Sequence, residues 1–128
     1  MERKRGEMLM SQNAIDAHDA ALGALLGACA GDAAGATIEF IGRQPTPEEV
    51  VWAMRMPGGG TWDVAPGQIT DDGELTLCLA HALCEGSEFP LEQIAQNYAA
   101  WIQSSPFDRG MTIAQAFGAV VHPHWQKT

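Results

Sequence analysis

Apolar residues recur in this sequence at the three- and four-residue spacing of an α-helix. No segment alternates apolar and polar residues over a sustained length, so the pattern gives no support for β-strands. The spacing predicts five helices, over residues 13–36, 47–54, 71–84, 90–102 and 112–121. The sequence therefore predicts an all-α fold.

Capping residues and glycines mark the ends of these helices. Thr46 with Glu49, and Thr112 with Gln115, have the spacing of a capping box, and Gly86 suits a helix C-terminus. Residues 57–70 have no helical period and are predicted to form a long loop, a kind of segment that is often functional. Residues 1–12 are predicted to be a flexible leader, and residues 13–128 one helical domain.

Four glycines recur every fourth residue along one side of the first predicted helix: Gly23, Gly27, Gly31 and Gly35. A glycine inside a helix costs about 0.5–1 kcal/mol relative to alanine. Four in register indicate the close approach of another backbone or a ligand. For Gly23 and Gly27 we expect tight packing against another helix.

The formal net charge of -9 excludes one class of partner. A body this acidic repels phosphate backbones, so nucleic-acid binding is not expected and cation binding is favoured. Three cysteines without a CxxC pair, and no apolar run of bilayer length, predict a cytoplasmic protein without a membrane partner. A lipoprotein signal ending at Cys29 is the alternative, and Asp16 and Asp19 argue against it because they precede the apolar run.

Oxygen-bearing side chains cluster at two predicted helix ends. Thr70, Asp71 and Asp72 come from one turn at a helix start, and Glu39 follows the end of the first helix together with Asp32. Hard divalent cations prefer such oxygen ligands. The alternative is structural, because acidic residues in a first helical turn complement the helix dipole. Asp32 could likewise hydrogen-bond a backbone amide of the turn that follows it.

Three ordered motifs resemble the ADP-ribosylglycohydrolase family. They are the glycine repeat ending in Gly31-Asp32 and Glu39-Phe40, the loop Pro66-Gly67-Gln68-Ile69-Thr70-Asp71-Asp72, and the block from Trp101 through Pro106, Asp108 and Gly110 to Thr112. The resemblance covers about residues 21–117. It implies an orthogonal all-α helical bundle and a hydrolase that cleaves the N-glycosyl bond between ADP-ribose and an acceptor such as protein arginine or a small conjugate.

The resemblance also implies a ligand set and a chemistry. Two Mg²⁺ or Mn²⁺ ions are expected, with Thr70, Asp71 and Asp72 as metal ligands. Glu39 and Asp72 are the candidate catalytic residues. Glu39 is also a candidate for binding the substrate, with Asp108 and the glycines 58–60.

The sequence departs from the family pattern in three places. No counterpart of the family's later Asp-x-Asp metal ligands is present, so a truncated, split or degenerate form is expected. Gly73 and Glu74 replace the usual Thr and Gln, and the segment His122–Thr128 is unlike the family. The alternative function is therefore an inactive ADP-ribose-binding or oligomerising module, and exposed core residues favour a homodimer.

Overall fold

A computed structural model describes the backbone of residues 2–84 and 88–120 and the side chains of residues 16–84 and 88–117. Within these ranges the chain forms helices and no strand, which confirms the predicted all-α class. The helices are α1 (Glu2–Gly35), α2 (Pro47–Ala53), α3 (Asp71–Leu83), α4 (Leu91–Gln103) and α5 (Met111–Val120). No described helix is both long and apolar enough to cross a membrane.

Helix α3 is the centre of the packing. It contacts α1 on one side and α4 on the other, and α4 also packs against α5. The buried apolar residues are mostly small and come from several elements: Ala33, Ala34, Ala36, Ala53, Val64, Ala82, Ile94 and Trp101. Many larger apolar side chains of α1 and α3, such as Leu22, Leu26, Leu77 and Leu83, are exposed instead. The structure thus contains a small core and a large apolar surface.

The start of the short helix α2 agrees with the capping prediction. The Thr46 hydroxyl accepts from the backbone of Glu49, and the Glu49 carboxylate accepts from the backbone of Thr46. Arg43 adds an ion pair to Glu49 at 2.6 Å, which helps to hold the pKa of Glu49 at about 2.

Two helix starts differ from the prediction. Helix α5 begins at Met111, with the Gly110 carbonyl accepting from Ala114, so Thr112 lies inside the first turn and is not a cap. Helix α1 includes residues 2–12, which were expected to be a leader, because their Glu, Arg, Lys and Met residues favour helix and no Pro interrupts them. Gly86 and residues 121–128 lie outside the described residues.

Candidate active site

Asp32 connects the end of α1 to the start of α3. Its carboxylate accepts hydrogen bonds from the Thr70 hydroxyl at 2.6 Å and from the backbone N–H groups of Thr70 and Gly73, both at 2.8 Å. Thr70 is the N-cap of α3, but its side chain makes no capping bond within that helix. Asp32 therefore replaces the usual capping side chain from 38 residues away. The sequence-based alternative for Asp32 was a bond to an amide of the turn that follows it, whereas the amides that it accepts from belong to the start of α3.

Gly73 is required by this arrangement. A Cβ atom at Gly73 would stand 2.5 Å from Asp32 Oδ2 and 2.8 Å from the Cβ of Ile69. Such distances are far inside van der Waals contact, so any larger residue would displace the Asp32 carboxylate. The glycine that departs from the family pattern thus allows the close approach of α1 to α3.

Glu39 lies on the turn that ends α1. The turn is closed by the Gly35 carbonyl, which accepts from both Ile38 and Glu39. The Glu39 carbonyl in turn accepts from the Thr61 hydroxyl at 3.1 Å, which ties the long loop to this turn. Glu39 is therefore held next to the start of α3.

The acidic side chains share one electrostatic environment. Burial raises the pKa of Glu39, and the charges of Asp108, Asp71, Asp72 and Asp32 raise it further. The pKa of Asp108 is also raised, first by burial and then by Asp71, against an opposing hydrogen bond from the backbone of Arg109. Like charges disfavour the ionised form of a neighbouring carboxyl. Glu39 thus lies in the electrostatic field of the acidic residues at the start of α3.

A cavity of about 540 Å³ opens beside these residues. Its polar lining comes from Asp32, Glu39, Thr70 and Asp72, and Gly27, Gly31 and Gly35 of the glycine repeat form part of its wall. No described atom lies within 4 Å of the position that a Cβ would take at Gly23 or Gly27. The expected helix packing at Gly23 and Gly27 is therefore not found among the described residues.

The other predicted site residues take different positions. Asp71 accepts a long hydrogen bond of 3.4 Å from the backbone of Gly110, which joins the segment around Asp108 to α3. None of the glycines 58–60 lines the cavity. A Cβ at Gly58 would meet Val64 O at 2.4 Å, and one at Gly60 would meet Ala36 O at 2.3 Å. These two glycines allow backbone segments of the protein itself to approach closely.

The described side chains do not form a metal site by themselves. Among residues 16–84 and 88–117, no group of three or more His, Cys, Asp or Glu side chains is arranged to hold a metal ion. The Thr70 hydroxyl donates its proton to Asp32, which leaves the lone pairs of its oxygen available. Oxygen donors are thus present in the right chemical class, but the described carboxylates do not form a closed cage.

Sequence reasoning missed an aromatic cluster at this site. Trp62 contacts Phe40 and Phe107 with ring centroids 6.4 Å apart in both pairs. The available signal was that Phe40 and Phe107 each adjoin a candidate acidic residue in the sequence. The contact to Trp62, in a loop without periodicity, has no local signal.

Comparison with known proteins identifies the family of the chain. Residues 13–128 match the ADP-ribosylglycohydrolase family, and the chain belongs to that family. It is 38% identical over 105 residues to the ADP-ribosyl-dinitrogen reductase glycohydrolase of Rhodospirillum rubrum, covering 82% of this chain and 36% of that protein.

Two further relatives are called ADP-ribosylarginine hydrolase Tri1. The protein of Serratia proteamaculans is 34% identical and that of Pseudomonas putida 38% identical, each over 83 residues, 65% of this chain and 21% of the relative. The chain thus spans little more than a third, or less, of the length of these curated relatives.

Proposed function

We propose that this chain provides the ribose- and cation-binding part of a hydrolase that cleaves the N-glycosidic bond between ADP-ribose and the arginine side chain of a protein. The observation that carries the proposal is the meeting of Glu39, Asp72 and the Thr70 hydroxyl at one cavity, with Asp71 and Asp108 in the same electrostatic field. The relatives named for ADP-ribosylated dinitrogen reductase and ADP-ribosylarginine support the substrate class.

A divalent cation suits the donor chemistry of this site. The charges of Asp71, Asp72, Asp32 and Asp108, which raise the pKa of Glu39, form an excess of negative charge that Mg²⁺ or Mn²⁺ would neutralise. Thr70, Asp71 and Asp72 are the proposed ligands, with remaining positions filled by water, substrate or residues outside those described. When bound, such an ion holds ribose hydroxyls and lowers the pKa of a bound water.

The residues of the chain have separate roles in the proposed reaction. Departure of the guanidine nitrogen builds positive charge at ribose C1′, which the carboxylates of Glu39 and Asp72 stabilise. A water oxygen bonds to C1′ as the bond from C1′ to nitrogen breaks and leaves its electron pair on that nitrogen. Glu39 accepts the water proton and returns it to the departing guanidine, which leaves as arginine. Glu39 lines the same cavity as Asp72 and is the candidate base because a carboxylate there can reach a water at C1′.

The test is release of ADP-ribose from ADP-ribosylarginine with Mg²⁺ or Mn²⁺, with and without a chelator. We expect metal-dependent release that Asp72→Asn lowers by about 100-fold or more, as for loss of one transition-state charge contact. Asp19→Asn is the matched control, because Asp19 is exposed on α1 thirteen positions before Asp32 and makes the same charge change.

Two results would contradict the proposal. One is equal turnover by the wild type and Asp72→Asn. The other is absence of both turnover and saturable Mn²⁺ binding, which would favour an inactive ADP-ribose-binding or interaction module.

We also propose a cytoplasmic location, supported by free thiols at Cys29, Cys78 and Cys84.

A further inference from the structure

Three aromatic side chains form an exposed ridge beside the acidic residues. Trp62 is its centre, and the rings of Phe40 and Phe107 meet it at interplanar angles of 84° and 70°. Trp62, Phe40 and Phe107 remain 40%, 66% and 42% exposed, respectively. Large apolar rings that contact one another while staying this exposed indicate a binding surface rather than a core.

The loop that carries Trp62 is held rigidly. Gly59 and Val64 exchange two backbone hydrogen bonds of 2.7 and 3.0 Å across the turn. The backbone of Gly60 approaches Ala36 so closely that no side chain could fit there, and Thr61 donates to the Glu39 carbonyl. The backbone that carries Trp62 is therefore tied to the turn that carries Glu39.

Phe40 is held in an unusual backbone conformation. Its φ of 59° lies in the left-handed region, which is unfavourable for a residue with a Cβ. The strain is not offset by burial of the ring, since Phe40 is the most exposed member of the ridge. Strained residues that are not required by packing are concentrated at binding sites.

Each residue of the ridge has an acidic neighbour in the chain, and two of these acids, Glu39 and Asp108, interact electrostatically. Phe40 directly follows Glu39, Phe107 directly precedes Asp108, and Asp63 follows Trp62. Aromatic faces next to carboxylates attract a planar cation, which stacks on a ring while the carboxylates balance its charge. A nucleobase would also stack, but it carries no positive charge for the carboxylates to balance.

We propose that the ridge of Phe40, Trp62 and Phe107 binds the guanidinium group of an arginine side chain. This inference rests on the proposed function, because it assigns the ridge to the acceptor side of the scissile bond, next to Glu39 and Asp108. The ridge then selects a flat, delocalised cation over the compact ammonium of lysine.

The test uses agmatine as a guanidinium probe on the full chain, followed by NMR of the tryptophan indole N–H groups. The sequence has four tryptophans, and the Trp62 signal is identified by its loss in Trp62→Phe. We expect agmatine to shift the Trp62 signal. Trp62→Leu should weaken agmatine binding by roughly 3- to 30-fold, whereas Trp52→Leu, at an exposed tryptophan on α2, should leave it unchanged.

Cadaverine and adenosine monophosphate separate the alternatives. Cadaverine carries an ammonium in place of the guanidinium, so equal binding of cadaverine and agmatine would show general attraction to the acidic surface and overturn the proposal. A Trp62 shift with adenosine monophosphate but not with agmatine would overturn it in favour of a base-stacking site. No shift with any probe would also overturn it.

This experiment is independent of the test of hydrolysis. It requires neither a divalent cation nor turnover, so it can be carried out with a chelator present. Agmatine binding without any ADP-ribose release would contradict the proposed hydrolase and leave the ridge as a guanidinium site. Metal-dependent release that Trp62→Leu does not alter, with no agmatine shift, would contradict the ridge alone.

Discussion

At the scale of single residues, the site stores electrostatic repulsion that folding must overcome. Asp108 is buried and its pKa is raised by that burial and by Asp71. A carboxyl with a raised folded-state pKa favours folding only while it is protonated. Its contribution to stability is complete below the unfolded pKa and is lost as the pH rises through the folded pKa.

Replacement of Asp108 by Asn should therefore stabilise the fold at neutral pH. The amide oxygen can still accept the hydrogen bond from the backbone of Arg109, but the charge that repels Asp71 is gone. The gain should shrink as the pH falls through the folded pKa of Asp108 and vanish near its unfolded value of about 3.9. Urea unfolding of both proteins across this pH range, with a chelator present, measures the difference.

The control for this prediction is Asp19→Asn, which changes the net charge equally at an exposed position of α1. If Asp108→Asn gained no more stability at neutral pH than Asp19→Asn, the repulsion at the site would be negligible. A gain that grew as the pH fell would show that the sign of the linkage is wrong.

At the scale of helices, the ends are where the sequence was most and least informative. The capping box of α2 was predictable because Thr46 and Glu49 are three residues apart and interact with each other. The cap of α3 was not predictable from neighbouring residues, because its acceptor is Asp32 on α1. The motif identified Thr70–Asp72 as site residues, but only the packing of α1 against α3 explains how their turn is held.

Gly73 provides the element-scale prediction. Helix propensity alone favours alanine over glycine by about 1 kcal/mol, but a Cβ here would collide with Asp32 and Ile69. Gly73→Ala should therefore destabilise the protein, by about 1–3 kcal/mol as for an overpacked core position. Gly23→Ala, in α1 with open space around its Cβ position, should instead stabilise it by about 0.5–1 kcal/mol.

Chemical denaturation of the two glycine variants compares opposite expected signs on the same scale. A stabilising effect of Gly73→Ala equal to that of Gly23→Ala would mean that the approach of Asp32 to α3 is not tight. Crystal structures of the variant would then be expected to show the Asp32 carboxylate unmoved.

At the scale of the whole molecule, the sequence predicted the helical class, but not which surfaces would be left open. Periodicity identifies the apolar face of each helix without indicating its partner. Helices α1 and α3 enclose a groove lined by Ala21, Ala24, Leu25, Thr76, Leu79, Ala80 and Leu83, and described side chains do not fill it. The matched regions make up 36% or less of the length of these relatives.

An open apolar groove should cause the chain to associate with itself. Leu83 lines the groove and is 46% exposed, so a neighbouring copy can bury it. In sedimentation velocity, the weight-average mass of the wild type should rise with concentration, and Leu83→Gln should weaken this association by about 10-fold, the effect of about 1.4 kcal/mol. Val51→Gln, which alters a 61% exposed residue of α2, should have no effect. A wild type that stays monomeric at every concentration would contradict association through this face. If Leu83→Gln and Val51→Gln weakened association equally, the contact would lie elsewhere, because Leu83 lines the groove and Val51 does not.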